Sequence, residues 1–204
     1  RLFKRRAFAS TTGSSLLSFC ARAGSFFLMP FFLQRVQGYG PAAVGFMLTS
    51  FPIAVSLVAP ISGTLSDRLG TRGLTVAGQV VAALALGLMA SLDAHTPLVL
   101  VLLPQVMLGM GTALFTPPNN SAMLSAVDPE DLGMASGMLA VMRNLGLMLG
   151  TGFVSLVLAL RPADFMGGFR LALASSCLIA LLSAWVASVR AKGQAVAVPT
   201  ASRG

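Results

Sequence analysis

Charge is what this sequence has least of. Only 10% of its 204 residues are Asp, Glu, Lys or Arg, where soluble domains approach a quarter. Acids are the scarcer sign, six against fourteen basic residues, and none falls inside the long apolar runs described below. There are one histidine and two cysteines. His95 stands alone in the connection Asp93 to Pro97, where it reads as a surface-loop residue. Cys20 and Cys177 lie inside apolar runs, far apart in sequence and without metal-ligand spacing, and read as packing residues. With no triad, paired carboxylates, phosphate-binding loop or ligand cluster, enzyme chemistry has no foothold, and neither a metal nor a cofactor is expected.

What is present is apolar. Hydrophobic residues make up 55% of the chain and the mean hydropathy is +0.83, which marks an integral membrane chain. About 20 apolar residues cross a hydrocarbon core of about 30 Å. Six runs reach that length: 8–33, 45–62, 73–92, 98–115, 133–160 and 171–189. Val76 to Met89 runs without the alternation a barrel strand needs, so the expected fold is all-α, one bundle of six transmembrane helices. The first and fifth runs exceed the minimum and are expected to tilt or protrude. A cleavable signal peptide is not expected, since the first run is too long for one and five more follow. Residues 1–7 form a basic cytoplasmic lead-in, and 190–204 are expected as a disordered cytoplasmic tail.

The formal net charge of +8 is explained by topology. With the N-terminus inside, Arg1, Lys4, Arg5, Arg6, Arg68, Arg72, Arg190, Lys192 and Arg203 fall on the cytoplasmic side, and Arg35, Arg161 and Arg170 outside. That bias obeys the positive-inside rule and makes a nucleic-acid partner unnecessary. Tyr39 and Trp185 lie near span ends, where amphipathic rings prefer the interface.

Helical spacing shows uneven faces. In the first run Thr11, Ser14, Ser18, Arg22 and Ser25 stack on one side. The second carries a small-residue stripe, Gly45, Thr49, Pro52, Ser56, Ala59 and Gly63; the fourth carries Gln105, Gly109, Thr112, Thr116 and Asn119 or Asn120. The third and sixth are the least polar. Such stripes line a wet interior or serve as ordinary helix-packing faces. The fifth run holds Gly133, Gly137, Gly146 and Gly150, pairs spaced for close backbone approach, and follows Asp128-Pro129-Glu130-Asp131, which reads as an N-cap with proline at the first helical position. Counted from Pro129, Arg143 lies about 21 Å along the axis, mid-membrane, with Asn144 beside it. A cation at that depth costs about 2.5–3.5 kcal/mol on insertion scales. Arg143 and Arg22 should therefore each face a cavity or a partner, or else snorkel or contact carbonyls.

The most informative stretch is charged. Gly63-x-x-x-Asp67-Arg68-x-Gly70-x-Arg72 lies between the second and third runs and reads as a short hairpin. On the positive-inside face of six spans, it resembles the G-x-x-x-D-R-x-G-R-R loop between the second and third helices of a six-helix half of a major facilitator superfamily transporter. Further features are similar to the C-terminal half of the fourteen-helix drug:proton antiporter branch: Leu33-Gln34-x-Val36-x-Gly38-Tyr39-x-Pro41 closing the first span, Pro117-Pro118-Asn119-Asn120 closing the fourth, and Gly133-x-Ala135-Ser136-Gly137 followed by Arg143-Asn144-Leu145-Gly146.

The resemblance implies alternating access, with protons entering as amphiphilic compounds leave. Its expected partners are the lipid bilayer, the N-terminal half of the same transporter, a small-molecule substrate and protons. Gly63, Asp67, Arg68, Gly70 and Arg72 would form a gating loop, Asp67 pairing in one conformation only; the competing reading is a topogenic turn. Arg22, Ser18, Gln105, Thr112, Asn119, Asn120, Arg143 and Asn144 would line the cavity. Gln105 stands where the family pattern R-x-x-Q-G of the fourth helix has arginine, with Gly109 at the glycine. A neutral side chain there, and runs without acids, place proton coupling in the other half. A non-transporting scaffold, sensor or degenerate half-transporter is the alternative, and a homodimer of halves a third reading. Phe26, Phe27, Phe31, Phe32, Phe51, Phe115 and the eleven methionines suit an adaptable apolar cavity or lipid contact.

Overall fold

The computed structural model describes residues 6–161 and 164–189. Expectations for the lead-in's first five residues, for the tail and for the Asp67 side chain fall outside the described residues. Every regular element described is a helix. Helix α1 spans Arg6–Phe31 and continues through a π-helical turn at Phe32–Val36; α2 is Pro41–Leu48, α3 Ser50–Leu69, α4 Thr71–Ala90 and α5 Leu98–Leu124. A 3₁₀ turn, Pro129–Asp131, leads into α6, Leu132–Ala159, and α7 is Phe165–Ser188. With α2 and α3 counted together, six stretches are long and apolar enough to cross a membrane.

Proline explains the irregularities in the first two spans. Pro52 has no N–H to offer the Leu48 carbonyl, and the ladder breaks at Thr49. There the Thr49 N–H and Oγ1 both turn back to the Phe46 carbonyl, at 3.1 and 2.6 Å. Pro30 likewise loosens α1 ahead of the π turn, where the Gln37 N–H reaches back five residues to Phe32 O at 3.2 Å. Gly38 follows at φ +76°, a backbone state glycine adopts without strain. Gln37 Nε2 then donates to Thr96 O at 2.9 Å, tying this end to the α4–α5 connection. In that exposed connection the Thr96 hydroxyl and the His95 N–H both donate to Asp93, holding its carboxyl below the usual range.

Two expectations are corrected. Residues 63–69 are not a hairpin loop but the last two turns of α3. The connection shrinks to Gly70, whose φ of +83° reverses the chain directly into α4. Among the described residues nothing lies within 4 Å of where a Cβ on Gly63 would sit, so none of them makes a close helix contact there. Arg68 and Arg72 are exposed, and Arg72 Nη2 donates to the carbonyl of Ser188, bracing the start of α4 on the last turn of α7. Pro117-Pro118 does not end the fourth span either, because α5 continues to Leu124. Proline ends helices in water by exposing unpaired carbonyls, whereas neighbouring helices support such breaks in a membrane bundle.

Backbone approach at glycine organises the bundle. Helix α4 packs between α5 and α7, α1 packs on α6 and α7 and touches α5, and α3 lies on α5. A Cβ on Gly78 would fall 2.7 Å from Gly111 O, and one on Gly111 would fall 2.6 Å from Gly78 O, so α4 and α5 meet backbone to backbone. Gly146 meets Leu16 O at 2.6 Å in the same sense, and Gly150 meets Cys20 O, seating α6 on α1. The other pair behaves differently: a Cβ on Gly133 or Gly137 would meet nothing within 4 Å among the described residues, and both are exposed. Identical spacing thus serves contact on one face of α6 and leaves the other open.

Apolar side chains gather in two clusters. The larger unites Met29, Phe32, Leu86, Met89, Leu108, Phe169 and Leu173 toward the Thr96 end. The smaller, Phe8, Met123, Ala126 and Ala135, closes the Gly70 end. Polar groups lie between them.

Candidate functional site

The polar stripe of α1 faces inward along its whole length. Thr11, Ser14, Ser15, Ser18, Arg22 and Ser25 are each at most 3% exposed. Helix α5 runs antiparallel to α1, and Asn119 fixes their register. Its Nδ2 donates to Ser15 Oγ at 2.6 Å and to Thr11 O at 3.3 Å, while Ser14 Oγ lies 3.2 Å from Asn119 Oδ1. Ser183 Oγ on α7 donates to Ser14 O at 2.9 Å, and Gln79 Nε2 on α4 donates to Ser183 Oγ at 3.0 Å. One connected network therefore joins four helices.

Farther along the same seam the partners stop. Each turn forward on α1 is matched by a turn back on α5, so Ser18 falls level with Thr116 and Arg22 level with Thr112. Arg22 Nε and Nη1, Ser25 Oγ, Thr112 Oγ1 and Thr116 Oγ1 are buried without a hydrogen-bond partner among the described residues. The guanidinium rests over the Phe19 ring, its Cζ 4.2 Å from the centroid. Beside this layer is a cavity of about 270 Å³ lined by Ser25, Phe26, Leu48, Phe51, Pro52 and Gln105. Its wall includes an edge-to-face pair, Phe26 and Phe51, with centroids 5.0 Å apart.

The structure thus brings Ser18, Arg22, Gln105, Thr112 and Asn119 to one seam. Asn120 is half-buried, and Arg143 and Asn144 on α6 are exposed. Gln79 and Ser183 escape a reading that treats the third and sixth spans as the least polar. A lone glutamine inside Gly73 to Leu92 was the available signal, since an amide in an apolar run needs a partner. A second cavity, about 230 Å³, opens near the Thr96 end between Phe27, Phe31, Arg35, Leu158, Arg161 and Phe165.

Comparison with known proteins gives one family and a consistent set of relatives. The profile described as Major Facilitator Superfamily matches residues 11–202. Riboflavin transporter RibZ of Clostridioides difficile (strain 630) is 35% identical over 154 residues, 76% of this chain and 34% of that protein. YebQ of Escherichia coli (strain K12), an uncharacterized transporter, is 31% identical over 183 residues, 90% of this chain and 39% of its own length. Multidrug resistance protein Stp of Mycobacterium tuberculosis (strain ATCC 25618 / H37Rv) is 35% identical over 158 residues, 78% and 29% of the two chains. The chain spans roughly a third of these curated relatives.

Proposed function

This chain belongs to the Major Facilitator Superfamily, and we propose that it is the C-terminal six-helix half of a proton-coupled exporter of amphiphilic small molecules. The observation that carries this reading is the uncovered side of the bundle. Only 11% of the most apolar stretch of the α2–α3 span is buried and 22% of the α6 span, against 56% for α1. Ile53, Leu57 and Ile61 form an exposed stripe on α3, and Met148, Leu149 and Leu156 stand out on α6. Gly137 and Asn144 share the open side of α6, where glycine permits close approach and a polar residue seeks a partner. A second six-helix half would cover these faces, enclose the α1–α5 seam and rock against it in alternating access.

Relatives named for riboflavin transport and for multidrug resistance support amphiphilic cargo. Proton coupling then rests on an acid elsewhere in the full-length transporter, because every acid of this chain lies in a connection or within a turn of a helix end. The exposed Arg68 and Arg72 favour the Gly70 end as the cytoplasmic one, in a cell membrane with both ends of this segment inside. Asp67, three residues before the Gly70 reversal, is the proposed latch between the halves.

Energised cells carrying the full-length protein should expel a lipophilic dye, and a protonophore should stop them. The 204-residue chain alone should not. Dye export by this chain alone, or export from full-length cells that survives the protonophore, would overturn the reading. Asp67→Asn should abolish export without reducing the amount of protein in the membrane; unchanged export would remove the latch.

A further inference from the structure

Arg22 occupies the most demanding position in the bundle. The first span runs Phe8–Val36, and residue 22 is its midpoint; the fourth runs Leu98–Leu124, and Thr112 is one residue past its midpoint. The antiparallel register independently sets these two at the same depth. A guanidinium that is 3% exposed, held over a ring rather than an acid, lies at the depth where an unpaired charge is least tolerated. By the same register, the unpartnered hydroxyls nearest it are that of Thr112, level with it, and those of Ser25 and Thr116, about a turn away on either side. Hydroxyls in a membrane helix ordinarily turn back to a carbonyl three or four residues earlier, as Thr11 and Thr12 do. Here they do not, and the layer combines positive charge with donors and no counter-charge.

From this juxtaposition we infer that Arg22, Ser25, Thr112 and Thr116 form an oxyanion subsite at the centre of the bundle, suited to a carboxylate. The guanidinium supplies charge and several N–H donors, Thr112 adds a hydroxyl at the same level, and Ser25 and Thr116 offer one more on either side. Ser25 also lines the cavity walled by Phe26 and Phe51, so a ring attached to the carboxylate has an apolar place beside it. The inference deepens the transport reading and rests on it for the identity of the occupant. That carboxylate comes either from the cargo or from an acidic side chain in the rest of the transporter.

The test uses purified full-length transporter, with benzoate as the anionic probe and benzamide as its neutral control. Cargo-borne carboxylate predicts that benzoate, and not benzamide, raises the melting temperature of the parent by several degrees. The rise should vanish in Arg22→Gln and in the Thr112→Val/Thr116→Val double variant, which removes only unpartnered hydroxyls and should fold. Transport of fluorescein should then fall at least tenfold in Arg22→Gln while ethidium transport stays within twofold. A side-chain carboxylate predicts no benzoate effect, loss of both dyes in Arg22→Gln, and recovery of both in Arg22→Lys. The inference is overturned if benzoate leaves the parent unchanged and Arg22→Gln moves both dyes normally, or if Arg22→Lys fails as completely as Arg22→Gln. Should the parent carry neither dye, the transport reading falls, while the benzoate measurement still decides the subsite.

Discussion

Two neighbouring layers of the α1–α5 seam are built from the same kinds of residue and end up in opposite states. Near the Gly70 end, Ser14, Ser15, Asn119, Ser183 and Gln79 hydrogen-bond across four helices. At mid-span, Arg22, Ser25, Thr112 and Thr116 keep buried polar atoms without partners. Burying a polar group is tolerable when it is paired and unfavourable when it is not. The first layer therefore does the work of holding helices in register, and the second retains unused bonding capacity where a moving substrate or a partner half must be met. A seam satisfied along its whole length would be more stable and would offer a ligand nothing.

The largest expected effect breaks both layers together. Gly150→Leu drives a side chain into the Cys20 carbonyl of α1, pushing α6 off α1 at a cost at or above the top of the usual overpacking range of about 1–3 kcal/mol. Little folded protein should be recovered, and a monodisperse peak in detergent at parental yield would contradict the packing described here. Asn119→Leu comes next, since it removes the amide that serves Ser15 and Thr11. A loss of about 1–2 kcal/mol is expected, read as a lower denaturation midpoint, with dye binding intact in the protein that remains folded. Gln79→Leu removes only the outer link to Ser183, while Ser183 keeps its bond to Ser14 O. Its expected cost is about 0.6 kcal/mol, the average for a hydrogen bond between membrane helices. The smallest stability change belongs to Thr116→Val, about zero, because the lost hydroxyl has no partner to abandon. Its consequence should appear in transport instead. A stability loss equal to that of Asn119→Leu would erase the distinction between the layers.

Much of this arrangement was legible in the sequence. Six apolar runs, the helical class and the inward polar stripe of α1 follow from hydropathy and a repeat of three to four residues. The candidates on α5 were legible for the same reason, and they share the seam with Arg22. Less legible was the stretch from Gly63 to Arg72. Its glycines and charges read as a loop, yet six residues after Gly63 remain helical and a single positive φ at Gly70 makes the reversal. Pro117-Pro118 read as a terminus by rules learned in water, where an interrupted ladder meets solvent rather than neighbouring helices.

Two pairs of residues mark the boundary most clearly. Arg22 and Arg143 carry the same depth argument, but Arg22 is buried in the seam and Arg143 is exposed. Gly146 and Gly150 touch α1, while a Cβ on Gly133 or Gly137, at the same spacing, would meet nothing among the described residues. Membership of the membrane class, the number of spans and the location of scarce charge are local properties of composition and length, so the amino-acid order suffices for them. Where no polar stripe marks it, as one does on α1 and α5, which side of a helix turns inward is not local. A soluble helix announces its buried side by being apolar there and polar elsewhere, but lipid is as apolar as the bundle interior and leaves no such contrast. Here that choice rests on backbone contacts at Gly78, Gly111, Gly146 and Gly150 and on the bonds of Asn119 and Gln79, and these exist only once the helices have met.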